Sequence, residues 1–304
     1  MATVITSGSF SKALWPGINA WYGKAYDEYP VEWTDLVDQY TSRKQFEEDV
    51  GVTSFGLAQV KPEGQAVAFD TEMQGYITRY THIEYALGFI ITKIMFDDDQ
   101  YDVVGERRAK GLAFSMRQTK ENVVANVYNR AFNSSYTGGD GVSMVSASHP
   151  NVAGGTWSNT LSVAANLSEA SLEQACIDIA KWTNDRGLRI AIQPKTIVIP
   201  VDLQFTLERI LKSQYRVNTA NNDISALVSM GKFPGGAKVN HYLTSTTAWF
   251  IRTNSPDGLK YFQRAEDSFG EDNDWDTENA KFKAGARYSV GWTDPRGIYA
   301  TAGV

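Results

Sequence analysis

The stretch from Asp97 to Phe132 constrains this chain most. It reads DDDQYDVVGERRAKGLAFSMRQTKENVVANVYNRAF and contains no proline. Ala109, Leu112, Ala113, Met116, Val123, Val124, Val127 and Ala131 recur mostly three or four residues apart. That is the period of a helix with one apolar face. Asp97, Asp98 and Asp99 open it, at the end where a helix dipole favours negative charge. At 1.5 Å per residue a single helix here would extend about 50 Å, where the mean helix has only about 11–12 residues. Gly105 and Gly111 weaken the first third by about 1 kcal/mol each against alanine. The polar, glycine-rich run SSYTGGDGVSMVSASHP then stops it. The stretch reads as a strut, with Arg107, Arg108, Lys120 and Glu121 on an accessible charged face.

The remaining totals exclude several classes. At 304 residues the chain suits one large domain or two smaller ones. A net charge of −6 argues against broad nucleic-acid binding, which needs a basic surface. Cys176 is the single cysteine, so no intramolecular disulfide forms and no oxidising compartment is needed. The start MATVITSGSFSKALWPG lacks the charged-then-apolar pattern of a signal peptide. The most apolar run, ALGFIITKIMF at 86–96, is too short to cross a bilayer and carries Lys93. The chain reads as soluble, made in a reducing cytoplasm, with no membrane partner.

Along the chain the pattern changes several times. Residues 1–50 read as an arm with short helices, carrying Trp15, Trp21 and Trp33 in a stretch too short for a core of its own. Such an arm docks either on its own domain or on another subunit. TSFGLAQV and AVAFDT flank KPEGQ, a turn by its Pro and Gly, and read as a β-hairpin whose polar tip projects. Residues 75–96 then alternate weakly at first and are apolar later, as in a strand exposed at one end and buried at the other. Residues 133–166 are glycine-rich loop. Ser171-Leu-Glu-Gln174 fits a capping box. TIVIP (196–200) and AWFIRT (248–253) read as strands, and Leu203, Leu207, Ile210 and Leu211 as one helix face. GLKYFQR and KFKAGARYSVGWTD return to strand, with the acidic stretch EDNDWDT between them.

No catalytic constellation is visible. His82, His149 and His241 stand too far apart for a zinc motif, and each reads as a surface or hydrogen-bonded loop residue. Cys176 lies on an apolar helix face and reads as a small buried hydrophobe. G-G-D-G at 138–141 lacks the Gly-Lys-Ser/Thr end of a phosphate loop. Asp272-Asn-Asp274-Trp-Asp276 begins like a calcium loop but has Thr277 for the required glycine and Lys283 for the final glutamate. Catalytic, metal-binding and cofactor residues are therefore expected to be absent.

The order of parts, with seven motifs in sequence, resembles the major capsid proteins of tailed bacteriophages with the HK97-like fold. The motifs are Trp15–Tyr26 (WPGINAWYGKAY), Tyr85–Thr92 with Asp97–Tyr101, Asn133–Gly141 with Ala147–Pro150, Gly187–Pro200, Asn222-Asp-Ile224, Arg287-Tyr288, and Arg296-Gly-Ile-Tyr299. The resemblance implies an α+β chain. Residues 1–50 would be an N-arm and 51–82 an extended hairpin, the E-loop. Residues 83–166 would form a P-domain with its spine helix at 97–132, and 167–255 an α/β A-domain. Residues 256–304 would return as strands of the P-domain.

Function follows as an expectation from that likeness. The chain would be a structural protein that self-assembles through hexamers and pentamers into an icosahedral head shell around double-stranded DNA, which it would hold without sequence-specific contacts. Trp15, Trp21, Tyr22, Tyr26, Trp33, Lys61 and Glu63 would be its inter-subunit contacts, and removing residues 1–30 would leave a folded chain that fails to assemble. Asn218–Gly236 would sit near the five- and six-fold axes. Some members of the wider fold crosslink a hairpin lysine to an asparagine on another subunit. Lys61 lies at the turn, but no partner asparagine or assisting glutamate matches a motif here. The few residues before Trp15 leave little room for a cleaved scaffolding segment, so a separate scaffold protein is expected, with a portal and a decoration protein as further partners. An encapsulin-like compartment shell, or a hydrolase with an unrecognised site, are the alternatives.

Overall fold

The computed structural model describes residues 11–97, 101–215, 223–273 and 279–304. In chain order the elements are α1 (Ser11–Glu28), β1 (Asp38–Thr41), β2 (Phe46–Val52), β3 (Gln74–Thr81), β4 (Ile83–Ile91), α2 (Lys93–Asp97), α3 (Tyr101–Asn129), β5 (His149–Pro150) and β6 (Thr156–Trp157). Then follow α4 (Glu169–Ala180), β7 (Pro194–Pro200), α5 (Gln204–Lys212), α6 (Ala226–Ser229), β8 (Ala237–Asn240), β9 (Trp249–Thr253), β10 (Leu259–Asn273), β11 (Ala280–Trp292) and β12 (Ile298–Thr301).

The long proline-free stretch folds as α3. Its first expected residue, Asp97, instead closes the short α2, and Asp98 and Asp99 lie outside the described residues. The helix runs through Gly105 and Gly111 and stops at Asn129, whose side-chain amide donates to the Tyr242 carbonyl at 3.0 Å and accepts the Thr244 N–H at 2.9 Å. Ala109, Leu112, Ala113, Met116 and Val124 of the apolar stripe are buried, as is Ala131 just beyond the helix. The charged face is corrected. Arg107 and Arg108 are exposed, but Lys120 and Glu121 are only 4% and 0% exposed. The reason is α1 and the segment after it, which lie across that side of α3. Lys120 reaches Asp267 of β10 at 2.5 Å, inside a ring of Tyr26, Trp33 and Tyr288. Glu121 accepts the Glu32 N–H at 3.0 Å.

Two four-stranded sheets share the core. One has the order β1-β10-β11-β4, the other β12-β9-β7-β8. The first packs under α1 and α3, where Leu112, Met116 and Tyr128 meet Tyr261, Ala284 and Tyr288. The second is buried on both faces. Val198, Phe250 and Ala300 point to the α3 core, and Ile197, Ile199, Trp249, Ile251 and Tyr299 to a second core under α4 and α5. That explains why TIVIP reads as an unbroken apolar run. Cys176 lies in this second core, and burial pushes its thiol up to about 11.

Three boundaries differ from the sequence reading. The box at the start of α4 is made by Ser168 and Ser171, each side chain accepting the other's backbone N–H. Starting the helix one turn earlier places Leu172 wholly inside, and Gln174 instead donates to Asp178 at 2.7 Å. The hairpin ladder pairs β2 with β3, from Phe46↔Thr81 to Val52↔Gln74. TSFGLAQV and AVAFDT are not strands; the two legs meet at Thr53–Met73 and at Gly56–Asp70 but form no backbone ladder. The long strand of residues 75–96 breaks at His82, which is buried against Ser289 with Nδ1 2.9 Å from the hydroxyl.

Candidate assembly surfaces

The hairpin leaves the body at Thr53. Its N–H donates to the Met73 carbonyl at 3.0 Å, and its hydroxyl accepts the Met73 N–H at 2.9 Å. Beyond this clip every residue from Ser54 to Gln74 is exposed and none from Ser54 to Met73 is in a strand. Val60 and Phe69 are 94% and 96% exposed, and Phe55, Leu57 and Val67 are exposed with them. This apolar set on one uncovered arm is the main candidate surface. Sequence reasoning saw the turn and missed the surface. The signal was present in the apolar residues of the two flanks, which were assigned to paired strands.

Lys61 and Glu63 lie exposed at the arm's turn, and Gly64 takes a positive φ of 80° there. The aromatic candidates sit elsewhere, against their own chain. Trp33 is 6% exposed and packs on Tyr261 with ring centroids 4.5 Å apart. Tyr22 is equally buried and stacks on Phe269 at 4.7 Å. Tyr26 donates to Asp267 at 2.6 Å, and burial, then this hydrogen bond, raise its pKa. Trp21 is half-buried beside Ile91 and Phe282. The side chain of Trp15 lies outside the described residues. In this conformation Tyr22 and Trp33 are therefore core and not free surface, because the first sheet would otherwise leave Tyr261 and Phe269 uncovered. Removing residues 1–30 would take Tyr22 and Ala25 out of that core.

Behind the arm, the glycine loop, the turn after α4 and the C-terminal strands meet in one junction. His149 is fully buried, with Nδ1 2.6 Å from Asp140 Oδ2 and Nε2 3.1 Å from Asn159 Oδ1. Asn159 Nδ2 donates to the carbonyls of Met144, Pro295 and Ile298. Trp157 stacks on His149 at 4.8 Å on one side, and the Arg296 guanidinium lies 4.5 Å from its ring. Arg296 also donates to Thr183 O, Asn151 and Asp185. Burial raises the pKa of Asp294 beside it, while Arg296 opposes the shift. Gly139 passes so close under β3 that a Cβ would lie 2.7 Å from the Ile77 carbonyl. The sequence motifs at 133–141, 147–150 and 296–299 thus converge on one buried fastener.

The junction is built to hold and not to react. The His149 ring is fully buried, stacked on Trp157 and held at both nitrogens. Among the described residues no group of three or more His, Cys, Asp or Glu could hold a metal ion. Asp272 and Asn273 of the acidic stretch are paired in β10 with Lys281 and Ala280, and 274–278 lie outside the described residues. Among the described residues no helix is long and apolar enough to cross a membrane.

A long helix under a long-stranded sheet, a projecting arm, a glycine loop and an α/β lobe together make the HK97-like fold. A profile of phage capsid proteins matches residues 75–301, and the chain belongs to that family. Solved structures agree on the fold. The procapsid protein of bacteriophage JBD30 superposes with a TM-score of 0.54 at 13% identity, over 98% of this chain and 76% of that one. The capsid of a native GTA particle gives 0.52 at 12% identity, over 99% and 91%. Microbacterium phage Oxtober96 gives 0.52 at 9% identity, over 90% and 91%. No curated protein matches the sequence. The chain is a major capsid protein of the virion, self-assembling into a shell; its role is structural and not enzymatic. The encapsulin-like alternative has no better support than the phage reading.

Proposed function

We propose that this chain builds its shell through hexamers and pentamers in which each arm, residues 53–73, lies on a neighbouring copy. The uncovered apolar set Leu57, Val60, Val67 and Phe69 supports this reading. Held in water on a single chain, that surface has no use and promotes association; covered by a neighbour, it enlarges each contact beyond the domain body. In the same reading a separate scaffold protein guides assembly, and a portal and a decoration protein complete the particle. The enclosed DNA is held without sequence reading, in keeping with the net charge of −6. Synthesis takes place in the host cytoplasm, where the lone buried Cys176 needs no oxidant. Residues 1–50, 51–82, 83–166, 167–255 and 256–304 are the N-terminal segment, the hairpin that carries the arm, the spine, the insert and the return strands of that subunit.

Light scattering and negative-stain microscopy of the purified protein test the proposal. Rings or closed shells are expected, lost when Leu57, Val60, Val67 and Phe69 are all changed to serine. A stable monomer at every concentration, or shells formed equally well by that variant, would overturn it.

A further inference from the structure

The arm is not free at its root. Asp70, on its returning leg, accepts the Gly56 N–H of the outgoing leg at 2.7 Å and the Thr71 N–H at 2.9 Å. The same carboxylate pairs with Arg186 through both guanidinium nitrogens, Nη2 standing 3.0 Å from Oδ1. Asn184 Nδ2 donates to Ser54 Oγ at 2.6 Å, beside them. Both legs are thus tied to one turn of the α/β lobe.

That turn is rigid. Thr183 and Arg189 bridge, and the Asn184 side chain accepts the N–H groups of Arg186 and Leu188 at 3.0 and 2.8 Å. Gly187 supplies the positive φ of 80° that closes it. Its inner side is fastened by buried Arg296, through Thr183 O and Asp185. Arg186 is therefore presented outward from a fixed point. The arm beyond it has no such support: residues 57–69 belong to no strand, and Gln65 N–H bonds back within the turn, to Pro62 O at 3.2 Å.

We infer that the Asp70–Arg186 pair is a clasp that sets the direction of the arm in the unassembled chain and opens when the arm is drawn onto another surface. An exposed ion pair adds little to global stability, and that suits a contact that must be released. Its leverage comes from position, at the root of a segment that only it and the adjacent Asn184–Ser54 hydrogen bond tie to the lobe. Arg186 first, then the Gly56 and Thr71 N–H groups, hold the Asp70 carboxyl far below the usual carboxylate range, so the clasp stays charged across ordinary pH. The clasp concerns the single chain; only its release on assembly rests on the shell reading.

The test measures distance in the unassembled chain. Cysteines replace Glu63 at the arm's turn and Arg189 on the lobe, both exposed, and carry spin labels. Native Cys176 is buried with its thiol pushed up to about 11 and stays unlabelled at neutral pH. The parent is expected to give one narrow distance distribution. Arg186→Ala and, independently, Asp70→Asn are expected to widen it toward longer distances. Arg186→Lys, which keeps the charge but not the two-pronged geometry, should fall between. A distribution already broad in the parent, or unchanged in both Arg186→Ala and Asp70→Asn, overturns the clasp. Shell formation does not enter these distances, so failure of the shell reading and failure of the clasp are separable.

Discussion

The region around α3 and the arm at 53–73 carry comparable apolar residues and use them in opposite ways. Around α3, Trp33, Met116, Tyr128 and Tyr261 are covered by their own chain. On the arm, Leu57, Val60 and Phe69 are covered by nothing the chain supplies. The difference is one of partners. An apolar residue stabilises a fold only where another surface excludes water from it. The core has two sheets and two helices to do so; past Thr53 the hairpin has no third strand and no helix. A subunit whose body is finished and whose arm is unfinished can be stable alone and still gain from association.

Four variants probe that contrast. Trp33→Ala has the largest expected effect, a loss of about 3–5 kcal/mol for deleting a buried aromatic. Urea denaturation reads it, and a loss of a few tenths would mean that Trp33 serves a neighbour. Tyr128→Phe should cost about 1–3 kcal/mol by leaving a buried carbonyl unpaired, since the Tyr128 hydroxyl donates to Leu36 O at 2.6 Å. An unchanged midpoint would show that water reaches Leu36.

The third variant uses pH. Burial first, then Arg287, with Arg264 also contributing and Glu47 opposing, holds the His82 ring below its ordinary value of 6.5. The unfolded ring therefore takes up its proton first. Stability from this group is complete above the unfolded value and falls as pH drops from there toward the folded value. His82→Asn should flatten that part of the stability profile in urea melts; parallel profiles for the two proteins would remove His82 from the acid response. The smallest expected effect on stability belongs to the arm. Changing Leu57, Val60, Val67 and Phe69 to serine should move the unfolding free energy by no more than about 0.5 kcal/mol, while abolishing assembly. A large loss of stability there would place the arm in the subunit's own core and end the contrast.

Much of the α3 region was legible in the sequence. The stripe from Ala109 to Ala131, the buried run TIVIP and the returning strands are local patterns, and a local pattern states which face of an element must be hidden. It does not state what hides it. Lys120 falls within the apolar stripe, four residues from Met116 and seven from Val127, but its charge reads as solvent-facing. It is interior because Asp267 of β10 pairs with it, and Glu121 at the stripe's edge is interior because the segment after α1 lies over it. The capping box moved from Ser171 to Ser168 because two serines three apart offer two frames, and only the burial of Leu172 chooses between them. On the arm the polar turn was legible, whereas the absence of pairing in its flanks was not, since strand propensity says nothing about whether a partner strand is near.

The sequence by itself determined an α+β chain with a long spine, a projecting hairpin, an α/β insert and no chemistry-bearing motif, because periodicity, turn residues and the order of parts are written in neighbouring positions. Tertiary structure alone decided that Asp140, His149, Trp157 and Arg296 form one fastener, that Asp70 meets Arg186 across 116 residues, and that the apolar arm stays bare. Those outcomes depend on which distant segments arrive at the same place, and no local pattern specifies that.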